Sequence, residues 1–334
     1  MISETYNLWI KEAYTYPVMG DFIPTITSYI HEDDKVRPAM IVVPGGGYSV
    51  VSPTEGELVA MEFYQKGYNA FVVTYTTNLL RTTPLKFQPL KDLSKAVVFV
   101  RKQAELFCIN PDKVAVCGFS AGGHLTGSLA VHYDAEELVL GEEYAGIRNR
   151  PNAVILSYPV ITSGDFAHKD SFIALLGEEA SQEELDYMSL EKQVTDQTPP
   201  VFIWHTVSDE TVPVENSYLF AESCKNHGVP FEHHVFGNGP HGLSLANTDW
   251  ATGNYGQDYT LNQVYETMQY LVDHGLDLPS PFNRLGPVPK GTDVKEILRL
   301  KSKENRQDLK PDEGIAIWPT LVHNWLKKTW GLAD

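Results

Sequence analysis

Several things are scarce in this chain of 334 residues, and each scarcity removes a class of function. The three cysteines, Cys108, Cys117 and Cys224, are odd in number, scattered and without metal-ligand spacing. The expectation is reduced thiols in or near a core, with no disulfide framework and no bound metal. No apolar run reaches the roughly 20 residues of a membrane span. The opening residues, MISETYNLWIKEAY, lack a basic segment followed by an apolar one, so no secretory signal is expected and the expected compartment is cytoplasmic. Positive charge is short as well: 26 Lys and Arg against 43 Asp and Glu give a net charge of -17. That field opposes nucleic acid and anionic membrane, and it favours neutral substrates over anionic ones. PGGGYS at 44–49 has neither the lysine of a phosphate-binding loop nor the G-x-G-x-x-G spacing of a dinucleotide site, and HEDD at 31–34 lacks the second histidine of a zinc helix. No cofactor is expected, and the one macromolecular partner left open is a second copy of the chain.

What is present is an alternation of short β-rich runs with amphipathic stretches, the pattern of a mostly parallel sheet covered by helices on both faces. Strands are expected at 26–30, 39–47, 69–76, 114–119, 153–160, 200–209 and 231–239. The helix expected over 91–107 places Leu93, Ala96, Val97, Val100, Ala104 and Phe107 on one face, and Asn110, Pro111 and Asp112 are expected to turn the chain into the next strand. Residues 121–133 are rich in small side chains, as a helix packed tightly on a sheet would be. Further on, 261–274 and 316–328 read as helices, separated by a proline-rich run at 276–291 and a charged segment. A single α/β domain over 1–334 is expected, with 247–313 as an insertion serving as a lid or an oligomer arm.

The chemistry centres on VAVCGFSAGG at 114–123, an apolar β-branched run that stops on Gly118, Ser120 and Gly122. A sharp strand-to-helix turn holds a serine hydroxyl out at a sheet edge only where the residues two before and two after it have no side chain. A hydroxyl is a poor nucleophile at neutral pH and needs a histidine base held in one tautomer by a carboxylate. Asp209 follows the strand at 200–209, and His241 follows the last strand inside GNGPHGLSL. Both lie on loops at carboxyl ends of strands, where open α/β sheets place their ligands. Asp165 and Asp170 compete for the carboxylate position, behind Asp209. Of the other histidines, His124 is expected to pack or cap, His205 to be a core or near-site residue, and His233 and His234 to point to opposite faces of a strand. An oxyanion needs backbone N–H donors: one comes from the residue after the serine, Ala121, and another from the glycine-rich loop PGGGY at 44–48.

Together PGGGY at 44–48, GFSAGGH at 118–124, SDETVP at 208–213 and GPHGL at 239–243 resemble the bacterial esterase/lipase branch of the α/β-hydrolases, the xylanase-esterase-like or acetyl-esterase-like group. The resemblance runs from about residue 20 to 247 and resumes at AIWPTLVHNWL. It implies an α/β-hydrolase fold and a cofactor-free serine carboxylester hydrolase acting on short, neutral acyl esters, including acetyl groups on sugars. It also implies Ser120, Asp209 and His241 as a triad and Gly45, Gly46 and Ala121 at the oxyanion hole. Tyr48, Phe119, Tyr158, Trp204 and Leu243 flank these motifs; Tyr48, Phe119, Tyr158 and Leu243 are the expected substrate contacts. Pro44 stands where many relatives carry the histidine of HGGG, and 247–313 is longer than the pattern needs. Two other readings stand beside this one: a peptidase or amidase with the same triad, and a non-catalytic ligand-binding relative.

Overall fold

A computed structural model of the chain describes residues 1–139, 141, 144–279, 282–298 and 309–331. Among them runs one eight-stranded sheet made of β1 (Thr5–Asn7), β2 (Thr25–Tyr29), β3 (Arg37–Val43), β4 (Asn69–Thr74), β5 (Ile109–Phe119), β6 (Ala153–Ser157), β7 (Val201–Thr206) and β8 (Phe231–Phe236). The spatial order is β1-β2-β4-β3-β5-β6-β7-β8. From β4 to β8 every neighbouring pair is parallel, while β1 and β2 form an antiparallel edge. The parallel strands read as continuous β-branched runs because both of their faces are covered. On β3, Ile41 and Val43 enter one core, while Met40 and Val42 enter the other.

The first of these cores is closed by α2 (Gln88–Lys102) and α3 (Ser120–His132); the second is closed by α1 (Glu57–Gln65) and the terminal α9 (Trp318–Trp330). A third, beside β7, is closed by α6 (Glu215–Asn226), while α4 (Lys169–Leu176) sets Phe172 against His124 and α5 (Gln182–Tyr187) stacks Tyr187 on His132, both of α3. On α2, Leu93, Ala96, Val97 and Val100 are all buried, the stripe expected from their spacing. The helix begins earlier than expected because Pro89 sits in its first turn, where a missing N–H costs nothing. The expected turn at Asn110, Pro111 and Asp112 lies instead within β5. Arg37 pairs with Ile109 and Ala39 with Val114, so the intervening residues bulge out of the ladder. The three cysteines are unpaired, and no helix among the described residues is long and apolar enough to cross a membrane.

The segment 247–313 contains α7 (Thr248–Thr252) and α8 (Asn262–Asp273); residues 280–281 and 299–308 of it lie outside the described residues. Its apolar face builds a satellite core of Val264, Met268, Leu271 and Val272 against Met19, Val50, Leu79 and Leu80. Gln263 clasps the backbone of Thr77, accepting from its N–H at 2.9 Å and donating to its carbonyl at 2.7 Å. The segment thus lies on the chain that follows the glycine loop and on the loop after β4.

Candidate active site

Five adjacent parallel strands, β3, β5, β6, β7 and β8, deliver their carboxyl ends to one edge of the sheet. Val43 of β3 pairs with Gly118, and Phe119 pairs with Ser157 of β6, so the glycine loop, the Ser120 turn and Tyr158 leave the sheet at the same height. Ser120 is the first residue of α3 and has φ +52°, a left-handed conformation that a non-glycine residue holds only when its surroundings enforce it. The enforcement is steric. A β-carbon on Gly122 would collide with the carbonyls of Val43 and Pro44, and one on Gly118 would collide with the Gly122 carbonyl and the Thr126 hydroxyl. Only glycines at these two positions let strand, turn and helix close around the serine.

The loops after β7 and β8 bring Asp209 and His241 to that serine. The Ser120 hydroxyl donates to His241 Nε2 at 2.8 Å, and His241 Nδ1–H donates to Asp209 Oδ2 at 2.7 Å. Because a carboxylate only accepts, the contact with Asp209 puts the imidazole proton on Nδ1 and leaves Nε2 as the acceptor. Asp209 is buried, and its other oxygen accepts from the N–H groups of Thr211 and Val212 at 2.9 Å each. Burial pushes the carboxyl up, but hydrogen bonds from His205, His241 and Val212 outweigh it and hold Asp209 well below the usual carboxylate range. Asp170, one of the competing acids, instead pairs with Arg81 at 3.2 Å.

His205 proves to be a near-site residue. It is fully buried on β7, donates from Nε2 to the Val212 carbonyl at 3.0 Å and lies 3.3 Å from Asp209 Oδ2. It therefore lies against the same Asp209 oxygen that accepts from His241. His124 packs under the glycine loop, donating from Nε2 to the Met188 carbonyl at 2.9 Å and accepting the Tyr48 hydroxyl on Nδ1 at 2.8 Å. Burial lowers its pKa to about 4.

The expected oxyanion donors separate. Gly45 N–H donates to Glu55 Oε2 at 2.7 Å, so it faces a buried carboxylate rather than the serine. This corrects the expectation that Gly45 is a donor to substrate and leaves Gly46 and Ala121 of the expected set. The expected substrate contacts also shift. Tyr48, Phe119 and Leu243 are 1%, 0% and 4% exposed and pack into the cores, because large apolar groups flanking central strands find more area to bury there than at a site mouth. Trp204 is likewise in the core, its indole N–H donating to Ser157 at 2.7 Å. Tyr158 alone touches the constellation, its ring 5.0 Å from that of His241.

Three residues that sequence reasoning passed over belong to this region. Glu55 is the buried partner of Gly45 and of the Tyr158 hydroxyl, at 2.7 Å each. His168 and Ser171 are hydrogen bonded at 2.8 Å and are the nearest side chains to the space above Gly47. Burial holds the His168 pKa down, with the neighbouring His241 adding to the effect. No motif marks them; only the tertiary approach of the loops does.

A mostly parallel sheet in this strand order, with a strained serine turn after its fifth strand and a carboxylate and a histidine on the loops after the last two, defines an α/β-hydrolase. The family described as BD-FAE matches residues 28–224, and the chain belongs to that family, in the esterase branch of the superfamily. Among curated proteins it is 51% identical over 258 residues to endo-1,4-beta-xylanase B of Butyrivibrio fibrisolvens, covering 77% of this chain and 40% of that protein. It is 30% identical over 251 residues to an acetylxylan esterase of Xylanibacter ruminicola, covering 73% of this chain and 49% of that protein. The chain therefore spans less than half the length of each. Among solved structures, an acetyl ester-xyloside bifunctional hydrolase from Caldicellulosiruptor lactoaceticus is 36% identical, with a TM-score of 0.68, covering 75% of this chain and 94% of that one.

Proposed function

We propose that the protein is a serine carboxylester hydrolase that removes short acyl groups, acetyl above all, from sugars or plant-polysaccharide fragments. The observation that carries the chemistry is the unbroken line from the Asp209 carboxylate through His241 to the Ser120 hydroxyl, with both contacts under 3 Å. The similarity to an acetylxylan esterase and to an acetyl ester-xyloside bifunctional hydrolase supports the substrate class. The net charge of -17 favours a neutral ester over an anionic one.

Ser120 attacks the ester carbonyl as His241 Nε2 takes its proton, and Asp209 stabilises the resulting imidazolium. The carbonyl oxygen becomes an oxyanion held by the N–H groups of Ala121 and Gly46. His241 then returns the proton to the departing alcohol, leaving an acyl-serine. Water enters, His241 takes its proton, and collapse of the second tetrahedral intermediate releases the acid and restores Ser120. The chain acts as one domain, and α8, packed on Val50 beside the glycine loop, narrows what enters from that side. A panel of acetylated xylo-oligosaccharides set against p-nitrophenyl acetate, butyrate and octanoate tests the substrate class. The reading expects acetate esters to have the highest kcat/KM. Butyrate or longer esters clearly outrunning acetate would rule out the deacetylase assignment.

A further inference from the structure

Gly45, Tyr158 and Ser244 belong to three different loops of the site, and one buried side chain ties them together. Glu55, 4% exposed, accepts the Gly45 N–H on Oε2 at 2.7 Å and the Tyr158 hydroxyl on Oε1 at 2.7 Å. The Tyr158 oxygen in turn accepts the Ser244 N–H at 3.0 Å, three residues past His241. Ser244 is itself anchored, its hydroxyl donating to the Thr54 carbonyl at 2.6 Å, next door to Glu55. Since Tyr158 already accepts from Ser244, its one proton must go to Glu55, and both Glu55 oxygens act as acceptors. The network is directional and closed.

Three of its members are held in left-handed backbone that their side chains disfavour or in close approach to the serine. Tyr158 has φ +36° and Ser244 φ +49°. A β-carbon on Gly45 would come within 2.9 Å of Ser120 Cβ. Such conformations persist only where the surroundings over-determine them. The mechanism already given assigns Glu55 no role, yet burying a carboxylate is costly unless it is fully satisfied.

We propose that Glu55 is a positioning residue for acyl transfer: its carboxylate fixes the glycine loop so that the Gly46 N–H faces the oxyanion, and it locks Tyr158 against His241. This rests on the esterase reading above. The glycine loop is set through Gly45, and the imidazole is set through the Tyr158 ring, 5.0 Å away and nearly edge-on at 70°. Burial raises the Glu55 pKa, and the Tyr158 hydroxyl, the Gly45 N–H and the charge of His241 pull it back. The imidazolium formed in the transition state therefore strengthens the state of Glu55 that holds both loops.

Glu55→Gln tests this, because an amide has one acceptor oxygen where the network needs two. Fluorophosphonate titration of Ser120 gives the fraction of competent sites, and kcat per titrated site is then measured on p-nitrophenyl acetate for wild type, Glu55→Gln and Tyr158→Phe. A displaced oxyanion donor costs about 10²-fold. The expected result is a per-site kcat about 10²-fold lower in Glu55→Gln and about 10-fold lower in Tyr158→Phe, with KM within threefold. A role in stability alone would lower the titratable fraction and the melting temperature while leaving per-site kcat within twofold, and that result in the two variants overturns the proposal. Failure of the wild type to label at Ser120 would instead overturn the esterase reading, and the proposal with it. Tyr158→Phe carries the test if Glu55→Gln does not fold.

Discussion

His124 makes stability depend on pH in a way that can be worked out and isolated. It is fully buried on α3, and burial lowers its pKa from 6.5 to about 4. In the unfolded chain the imidazole takes up a proton near pH 6.5; in the folded chain it resists until about pH 4. Between those values the unfolded state binds more protons, so stability is fully present above pH 6.5 and is lost as the pH falls toward 4. Integrated from pH 7.5 to 4.5, the loss from this one group is about 2.5 kcal/mol. His124→Gln keeps a donor toward the Met188 carbonyl but leaves the Tyr48 hydroxyl without its acceptor, a cost of about 1–3 kcal/mol that does not vary with pH. Urea unfolding of both proteins at pH 7.5 and 4.5 is the assay. Wild type should be the more stable at pH 7.5, and the gap should close or invert at pH 4.5. Every other titrating group cancels in the comparison. Parallel stabilities at the two pH values, with a constant offset, would refute the reasoning.

Two further predictions concern the turn and the acid. Gly122→Ala puts a methyl group against the carbonyls of Val43 and Pro44, at and just past the end of the central strand β3, where the backbone cannot yield; stability should fall by about 3 kcal/mol or more, read as a lower urea midpoint. Asp209→Asn keeps the shape of the acid but offers His241 an amide, which favours the wrong tautomer; kcat should fall by about 10⁴-fold on p-nitrophenyl acetate while the melting temperature changes little. An asparagine variant with more than a tenth of wild-type kcat would mean that Asp209 does not orient the histidine.

The central sheet was legible because its strands are buried on both faces, and that makes each a compact β-branched run: 69–76 and 153–160 were expected where β4 and β6 lie. The serine turn was legible for a related reason, since Gly118 and Gly122 are demanded by contacts within a few residues of Ser120. Elements whose burial depends on distant partners were not. The edge strand β1 is three residues long and pairs only with β2. The turn expected at 110–112 became a bulge because β3 supplies a partner on both sides of it. At the site, residues on the loops after strand ends could be named from order alone, whereas Glu55 could not, because a glutamate is exposed far more often than buried. The donor role expected of Gly45 failed for the same reason: what Gly45 faces is decided by a side chain ten residues away that no local pattern reveals.

Ser120 is the nucleophile of the proposed reaction. The most direct measurement is the turnover of p-nitrophenyl acetate by Ser120→Ala, with circular dichroism showing the variant folded. The expected result is a fall in kcat of about 10⁴-fold or more. Near-full activity in the folded variant would contradict it.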